Sequence, residues 1–250
     1  MIVISAGMEK SGSAFYFNMI NDLFIAAGKN DVREIKTKYR LESMLELKNC
    51  NIRELTWKKL LTLFKLHCLG KSFVVKTHNP PIGLLEFFVS LRVMKAIYIY
   101  RDPRDVIISA VDHGHQHRKK GLLGEYFTRF VTVENSISLV KDYLDIWEQW
   151  INFKKVLPVK YEDLVSDPLK ELKRAANYLH IDIGSSGLEK IIKTYQQENL
   201  DKLGFPLHFN KGKPGRYKEV MSKKEIELCN KHLGHYIEKM GYPLDEGLEE

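Results

Sequence analysis

Residues 2–15 read IVISAGMEKSGSAF, an apolar run followed by a loop of small residues. The run Ile2–Ser5 predicts a short buried strand, and the segment from Ala14 to about Ala27, closed by Gly28, predicts a helix. A strand, a glycine-containing loop and a helix N-terminus together bind phosphate, because unpaired backbone N–H groups and the positive end of the helix dipole converge there. This stretch therefore predicts an α/β fold with an anion site at its first turn.

The loop also supplies side chains that suit an anion. Lys10 brings a movable positive charge, and Ser11 and Ser13 bring hydroxyl donors. The loop is not a Walker A sequence, because Glu9 stands where that motif needs a glycine before its lysine. Taken alone, the loop is equally typical of an ordinary strand-to-helix turn.

Length and composition indicate an ordinary globular protein. The chain has 250 residues, 44% of them hydrophobic and 28% charged, which suits one sizeable α/β domain. The three cysteines are odd in number and widely spaced, so they predict neither a disulfide framework nor a metal site, and they favour a reducing compartment. No apolar run approaches the roughly 20 residues that a membrane span needs. With the first strand starting at Ile2, no room is left for a signal peptide, and we expect a cytoplasmic protein.

The formal net charge of +7 favours anionic ligands without saying which kind. Nucleic acid is one class of ligand that fits, and a solvated basic surface is the plainer explanation.

Three further strands are predicted along the chain. They are Ser72–Lys76, Val93–Tyr100 and Val156–Tyr161. Helices are predicted after Asp102-Pro103 and Asp167-Pro168, over residues 125–153 and 187–200, and from Lys223 to Met240. Strands alternating with helices predict a single three-layer αβα domain over residues 1–250 with a central parallel sheet. Residues 113–124, with three histidines, are predicted as a polar surface loop rather than a metal site.

Open parallel sheets bind ligands at the carboxyl ends of their strands. Lys10, His78, Arg101 and Tyr161 all fall at such ends. Pro80 and Pro81 prevent the second of these strands from continuing, which places His78 on a loop.

Five segments, in this order, resemble the sulfotransferases that use 3′-phosphoadenosine-5′-phosphosulfate (PAPS) as donor. The segments are EKSGSAF (9–15), KTH (76–78), YRDPRDVIIS (100–109), KYEDL (160–164) and NKGKPGRYK (210–218). The spacing of eight residues from Arg101 to Ser109 is the most specific feature. The resemblance implies a P-loop-NTPase-like fold, PAPS as donor, 3′-phosphoadenosine-5′-phosphate (PAP) as product, and no metal.

The resemblance also implies a role for each matching residue. Lys10 would stabilise the charge that grows on the bridging oxygen, His78 would act as general base, and Lys76 would assist them. The 5′-phosphosulfate would lie among Ser11, Gly12, Ser13 and Ala14. The 3′-phosphate would contact Arg101, Ser109, Lys211 and Gly212, and the nucleoside would contact Phe15, Tyr161 and Tyr195. Histidine suits the role of base because its unperturbed pKa is about 6.5.

Two positions depart from the family pattern. Asn210 replaces an arginine that commonly precedes the Lys-Gly pair, and either Lys213 or Arg216 is a candidate substitute. Ala14 replaces a hydroxyl residue in the first loop.

The acceptor is expected to be a small molecule with an alcohol, phenol or amine group, facing residues 80–86, 113–126 and 204–209. We expect no nucleic-acid or membrane partner, and homodimer formation stays open. Three alternatives remain: a P-loop kinase or NTPase, a non-catalytic binding module, and a sulfotransferase-like protein that binds the donor but no longer transfers the group.

Overall fold

Residues 1–46, 49–196, 199 and 212–245 are described in the computed structural model. They group into two units. Unit 1 takes its described residues from Met1–Met8, Gly12–Tyr100 and Trp147–Phe209, and unit 2 takes them from Glu9–Ser11, Arg101–Ile146 and Asn210–Glu250. That residues 1–250 form one domain stays a prediction.

The described part of unit 1 contains a parallel sheet of five strands. They are β1 (Ile2–Gly7), β2 (Asn51–Ile52), β3 (Phe73–Thr77), β4 (Met94–Tyr100) and β5 (Val156–Lys160), in the order β2-β3-β1-β4-β5. Every residue of β1 is buried, so both faces of this central strand are covered, which explains its unbroken apolar sequence. The predicted three-layer α/β fold with a parallel sheet is confirmed. The two-residue strand β2 is too short to give a sequence signal.

The helices follow the strands along the chain. Their bounds are α1 Ser13–Ala26, α2 Val32–Lys38, α3 Trp57–Cys68, α4 Gly83–Ser90, α5 Pro103–Lys119, α6 Val133–Ile151, α7 Tyr161–Ser166, α8 Pro168–Leu179, α9 Ser185–Thr194, α10 Tyr217–Val220 and α11 Lys223–Lys239. Both Asp-Pro starts are confirmed, since Asp102 accepts a hydrogen bond from the backbone of Arg104 and Asp167 accepts one from that of Lys170. Helix α1 ends as predicted, with Gly28 at a φ of 68°.

The predicted loop over residues 113–124 is wrong, because α5 continues as a helix to Lys119. No proline interrupts this stretch, and the basic residues His117, Arg118 and Lys119 occupy the last turn, where they complement the negative end of the helix dipole. Residues 125–153 are predicted as one helix, but a 3₁₀ turn (Tyr126–Arg129) precedes α6 instead.

Two glycines make the β1–α1 turn possible. A Cβ on Gly7 would lie 2.7 Å from the Ile99 side chain and 2.9 Å from the Cβ of Ser13. Gly12 caps α1 at a φ of 77°, and a Cβ there would lie 2.7 Å from the ring of Tyr161. Only glycine fits either position without movement of its neighbours.

A comparison of Gly12→Ala with Gly28→Ala separates backbone strain from steric overlap. Both positions have positive φ, but no atom lies within 4 Å of a Cβ on Gly28. We expect Gly28→Ala to lower the free energy of unfolding by about 1–2 kcal/mol. Overlap with Tyr161 should cost Gly12→Ala about 1–3 kcal/mol more. Denaturant unfolding of both variants measures the difference, and equal losses would contradict the close contact.

Candidate functional site

His78 lies directly after β3 in unit 1, and both of its ring nitrogens have partners. Nδ1 is 2.7 Å from the carbonyl oxygen of Gly7, and Nε2 is 2.5 Å from Nζ of Lys76. A carbonyl oxygen only accepts hydrogen bonds, so Nδ1 carries the proton. The Lys76 ammonium donates to Nε2, which therefore presents a lone pair. The carbonyl thus fixes the tautomer in which Nε2 can take up a proton.

The loop that carries His78 is held on both sides of the histidine. The hydroxyl of Thr77 donates to the carbonyl of Ile52 at 3.0 Å, and the backbone N–H of Asn79 donates to that same hydroxyl at 3.1 Å. The indole N–H of Trp150 donates to the carbonyl of Asn79 at 2.9 Å. These contacts restrict the backbone on which the imidazole is mounted.

The β1–α1 turn meets two other predicted site residues within unit 1. The ring of Tyr161, which is 2% exposed, lies against Gly12. The ring of Phe15 packs edge-on against that of Tyr195, with 5.6 Å between their centroids. The hydroxyl of Tyr195 donates to Asp22 at 2.7 Å, and burial raises the pKa of the Asp22 carboxyl. Ser13 and Ala14 form the buried first turn of α1.

Lys10 belongs to unit 2, and the pKa of its side chain is lowered. Its Nζ lies 4.9 Å from the centroid of the Phe127 ring, and its backbone has a φ of 64°, which is unusual for a residue other than glycine. Burial and the positive charge of Arg101 lower the pKa of Lys10 to about 8, although Glu9 and Asp112 act in the opposite direction. Burial is the largest cause because it removes the hydration that an ammonium needs. The neighbouring Ser11 is fully buried.

Arg101 is the buried cation at the start of α5. Its Nη2 donates to Oδ2 of Asp105 and to the carbonyl of Lys213, each at 2.9 Å. Ser109 is half-buried one helical turn beyond Asp105, on the same face of α5. Gly212 opens the segment that ends at Tyr217, and it has a φ of 63°. Unit 2 therefore brings Arg101 to Lys213, within the segment 210–218 that resembles the sulfotransferases.

The two proposed substitutes for the missing arginine are both paired within unit 2. Arg216 forms a 2.7 Å ion pair with Asp112, and Lys213 pairs with Glu219. The predicted residues Lys211 and Asn210, and the acceptor-facing residues 204–209, lie outside the described residues.

Several residues contact the candidate site residues, and no sequence motif predicts these contacts. Phe127 touches Lys10, Asp22 holds Tyr195, and Trp150 holds the loop of His78. Trp150 lies 71 residues from its partner, and Asp22 lies 173 residues from Tyr195. Apolar periodicity identifies such residues as core, but it does not identify what they contact.

Two kinds of feature are absent from the described part of the chain. Among residues 1–46, 49–196, 199 and 212–245, no three His, Cys, Asp or Glu side chains gather as a metal would need. In the same part of the chain, no helix has both the length and the apolar character that crossing a membrane demands.

Comparison with known proteins identifies one family. The sulfotransferase domain family matches residues 2–241. Flavonol 4′-sulfotransferase of Flaveria chlorifolia is 28% identical over 196 residues, covering 67% of this chain and 60% of that protein. This chain spans only 60–62% of the length of the curated relatives that it matches first.

Solved structures share the fold at low sequence identity. Mouse sulfotransferase SULT7A1, in complex with PAP, has a TM-score of 0.62 and 19% identity, covering 95% of this chain and 84% of that one. Retinol dehydratase, in complex with retinol and PAP, has a TM-score of 0.61 and 17% identity, covering 98% of this chain and 83% of that one. At these identities, the likeness establishes the fold.

The lowered pKa of Lys10 gives a prediction that does not depend on the function of the protein. Lys10 should lose its charge as the pH rises through about 8, well below the ordinary lysine value of 10.5. Competitive acetylation across pH 6 to 11, read by peptide mass spectrometry, measures this directly. The Lys10→Arg variant is the control, because the assigned peptide should then lose its reactive amine. A midpoint near 10.5 would show that the ammonium is hydrated rather than buried.

Proposed function

The chain belongs to the sulfotransferase domain family, and on this premise we propose that it transfers the sulfuryl group of PAPS to a small-molecule acceptor. The accepting atom is a hydroxyl oxygen or an amine nitrogen, and PAP is the product. This proposal concerns the whole protein, because the chain spans about three-fifths of its curated relatives.

The geometry of His78 is the observation that carries the proposal. A general base needs an unprotonated nitrogen and a fixed ring orientation. The carbonyl of Gly7 holds the proton on Nδ1 and leaves Nε2 as the basic atom. Lys76 places a positive charge beside that atom. In the proposed reaction, the acceptor displaces Lys76 from Nε2 and gives up its proton there.

The transfer is a single displacement at sulfur and needs no covalent intermediate with the protein. The acceptor oxygen or nitrogen forms a bond to sulfur, the bond between sulfur and the bridging oxygen breaks, and the electron pair stays on the 5′-phosphate of PAP. His78 takes the acceptor's proton. Lys10 and Lys76 stabilise the charge that develops on the transferring group and the bridging oxygen, so they act more strongly in the transition state than in the ground state.

The remaining predicted residues are assigned to binding of the donor. Backbone N–H groups and hydroxyls of Ser11, Gly12, Ser13 and Ala14 would hold the 5′-phosphosulfate at the N-terminus of α1. The nucleoside would contact Phe15, Tyr161 and Tyr195. The 3′-phosphate would contact Arg101, Ser109, Lys211 and Gly212, with Arg101 as a charge-assisted donor. No metal has a part in this proposal.

A P-loop kinase is the main alternative, and the strand order argues against it. A kinase of this fold needs an acidic residue near the end of a neighbouring strand to hold magnesium. The strands beside β1 are β3 and β4, and the residues that follow them in the chain are His78 and Arg101. Neither is acidic. The proposal also includes a cytoplasmic location, which the odd and widely spaced cysteines favour.

Calorimetric binding of nucleotides tests the donor. PAP, AMP, ADP and ATP are titrated into the protein with and without magnesium. We expect PAP to bind most tightly and independently of magnesium, because only PAP carries the 3′-phosphate. A preference for ATP with magnesium would instead support the kinase.

Removal of His78 tests the base separately from donor binding. The His78→Ala variant should lose at least about 100-fold in turnover with PAPS and a panel of alcohols, phenols and amines, while its affinity for PAP stays nearly unchanged. The exposed His235 serves as a matched control, and His235→Ala should leave both quantities unaltered. A parallel loss of PAP affinity would mean that His78 is structural, whereas intact turnover would remove it from the mechanism.

Removal of Arg101 tests the 3′-phosphate site. Arg101→Ala deletes a charge-assisted contact, so PAP binding should weaken by about 1.5–3 kcal/mol, with AMP binding little changed. The exposed Arg129 provides the control, since Arg129→Ala removes the same charge from the surface. Unchanged PAP affinity in Arg101→Ala would exclude Arg101 from this role.

A further inference from the structure

Asp105 is a buried carboxylate on α5 that no catalytic step uses. It is 1% exposed, and three donors converge on it. Its Oδ2 accepts from Nη2 of Arg101 at 2.9 Å and from the backbone N–H of Gly215 at 2.8 Å, while Oδ1 accepts from the backbone N–H of Tyr217 at 2.9 Å. From these contacts we propose that Asp105 is the positioning residue of the 3′-phosphate site, a role that rests on the proposed function.

The hydrogen bonds of Asp105 explain why this carboxylate is fixed in one orientation. A buried carboxylate without partners is costly, whereas one that accepts three hydrogen bonds is not. Two of its donors belong to the backbone, so the carboxylate has little freedom to turn. Its partners are Arg101, which lies four residues earlier and just before α5, and two backbone groups that lie 110 and 112 residues later in the chain. Asp105 therefore joins the start of α5 to the segment at Gly215 and Tyr217.

Arg101 is oriented by the same arrangement. Nη2 carries two hydrogens, and they are directed at Asp105 and at the carbonyl of Lys213. A planar guanidinium with one nitrogen fixed in two directions cannot rotate freely. The direction of its other donors is thereby set before a phosphate arrives, which lowers the entropy lost on binding.

Two other groups assigned to the 3′-phosphate, Ser109 and Gly212, lie close in the chain to Asp105 or to one of its partners. Ser109 follows it by one turn on the same helix face. Gly212 lies three residues before Gly215, whose N–H Asp105 accepts.

The Asp105→Asn variant tests this inference, with Asp102→Asn as the matched control. Asp102 lies at the same helix start, caps α5 and pairs at 2.7 Å with Arg104, a residue that is not assigned to the phosphate. In each variant the amide keeps one accepting oxygen. Affinities for PAP and AMP are measured by calorimetry, and circular dichroism and thermal unfolding report on the fold. AMP lacks only the 3′-phosphate, so the ratio of the two affinities isolates that group.

We expect Asp105→Asn to bind PAP roughly tenfold or more weakly while AMP affinity changes by less than about twofold. Asp102→Asn should change both affinities by the same factor. Equal losses of PAP and AMP in Asp105→Asn would overturn the inference, as a merely structural role predicts. Tighter PAP binding would overturn it too, since it would mean that the carboxylate competes with the phosphate for Arg101.

Two further outcomes are distinguishable. If the wild-type protein does not prefer PAP over AMP, the proposed function fails and the inference fails with it. If Asp105→Asn does not fold, Asp105→Glu keeps the charge and moves the oxygens by one methylene. That variant should also lose PAP affinity selectively, and an unchanged ratio of PAP to AMP affinity would overturn the inference.

Discussion

The close packing of the β1–α1 turn is the constraint on which unit 1 depends. Gly7 lies against β4 through Ile99, its carbonyl accepts from His78 after β3, and Gly12 lies under the ring of Tyr161 after β5. One turn therefore touches the carboxyl ends of three strands. Side chains on these two glycines would overlap with Ile99, Ser13 and Tyr161, so the absence of a Cβ allows this close packing.

Unit 2 is organised by buried charge rather than by a sheet. Arg104 is fully buried, donates to Asp102 and to the carbonyl of Pro243, and stacks on the ring of Tyr217 with 4.1 Å between guanidinium carbon and centroid. Asp105 accepts from three donors nearby. Buried charges of this kind stabilise a fold only when every partner is present, since removing one partner leaves the other charge without solvation. Such a network specifies one arrangement, which is useful where a binding loop must be held.

The sequence predicted the parts of the molecule that depend on local rules. The apolar strands, the Asp-Pro helix starts and the end of α1 at Gly28 follow from patterns within a few residues. The polar, histidine-rich composition of residues 113–119 is typical of a loop, whereas the structure continues α5 to Lys119 because no proline interrupts it. Arg118 holds the 3₁₀ turn at Tyr126–Arg129, because it donates to the carbonyls of Thr128 and Phe130. Local sequence patterns do not predict that contact.

The sequence names candidate site residues, but it does not give the orientation or protonation of their side chains. A motif places a histidine at a strand end, but the tautomer of His78 depends on Gly7, 71 residues away. The position of Arg101 follows from a motif, whereas its orientation depends on backbone groups more than 100 residues later. Contacts between distant segments follow from the tertiary fold, which local sequence rules do not contain.

The low pKa of Lys10 has a consequence for the proposed reaction. Burial disfavours the charged form of Lys10, and a bound anionic donor would offset this cost by placing a negative charge beside the ammonium. A ligand that prefers the protonated form binds most tightly below a pH of about 8, and its binding raises the pKa of the lysine. As the bridging oxygen gains charge during transfer, an ammonium of lowered pKa also donates a stronger hydrogen bond than an ordinary one. The burial that weakens this charge in the free protein thus favours the step in which the charge is needed.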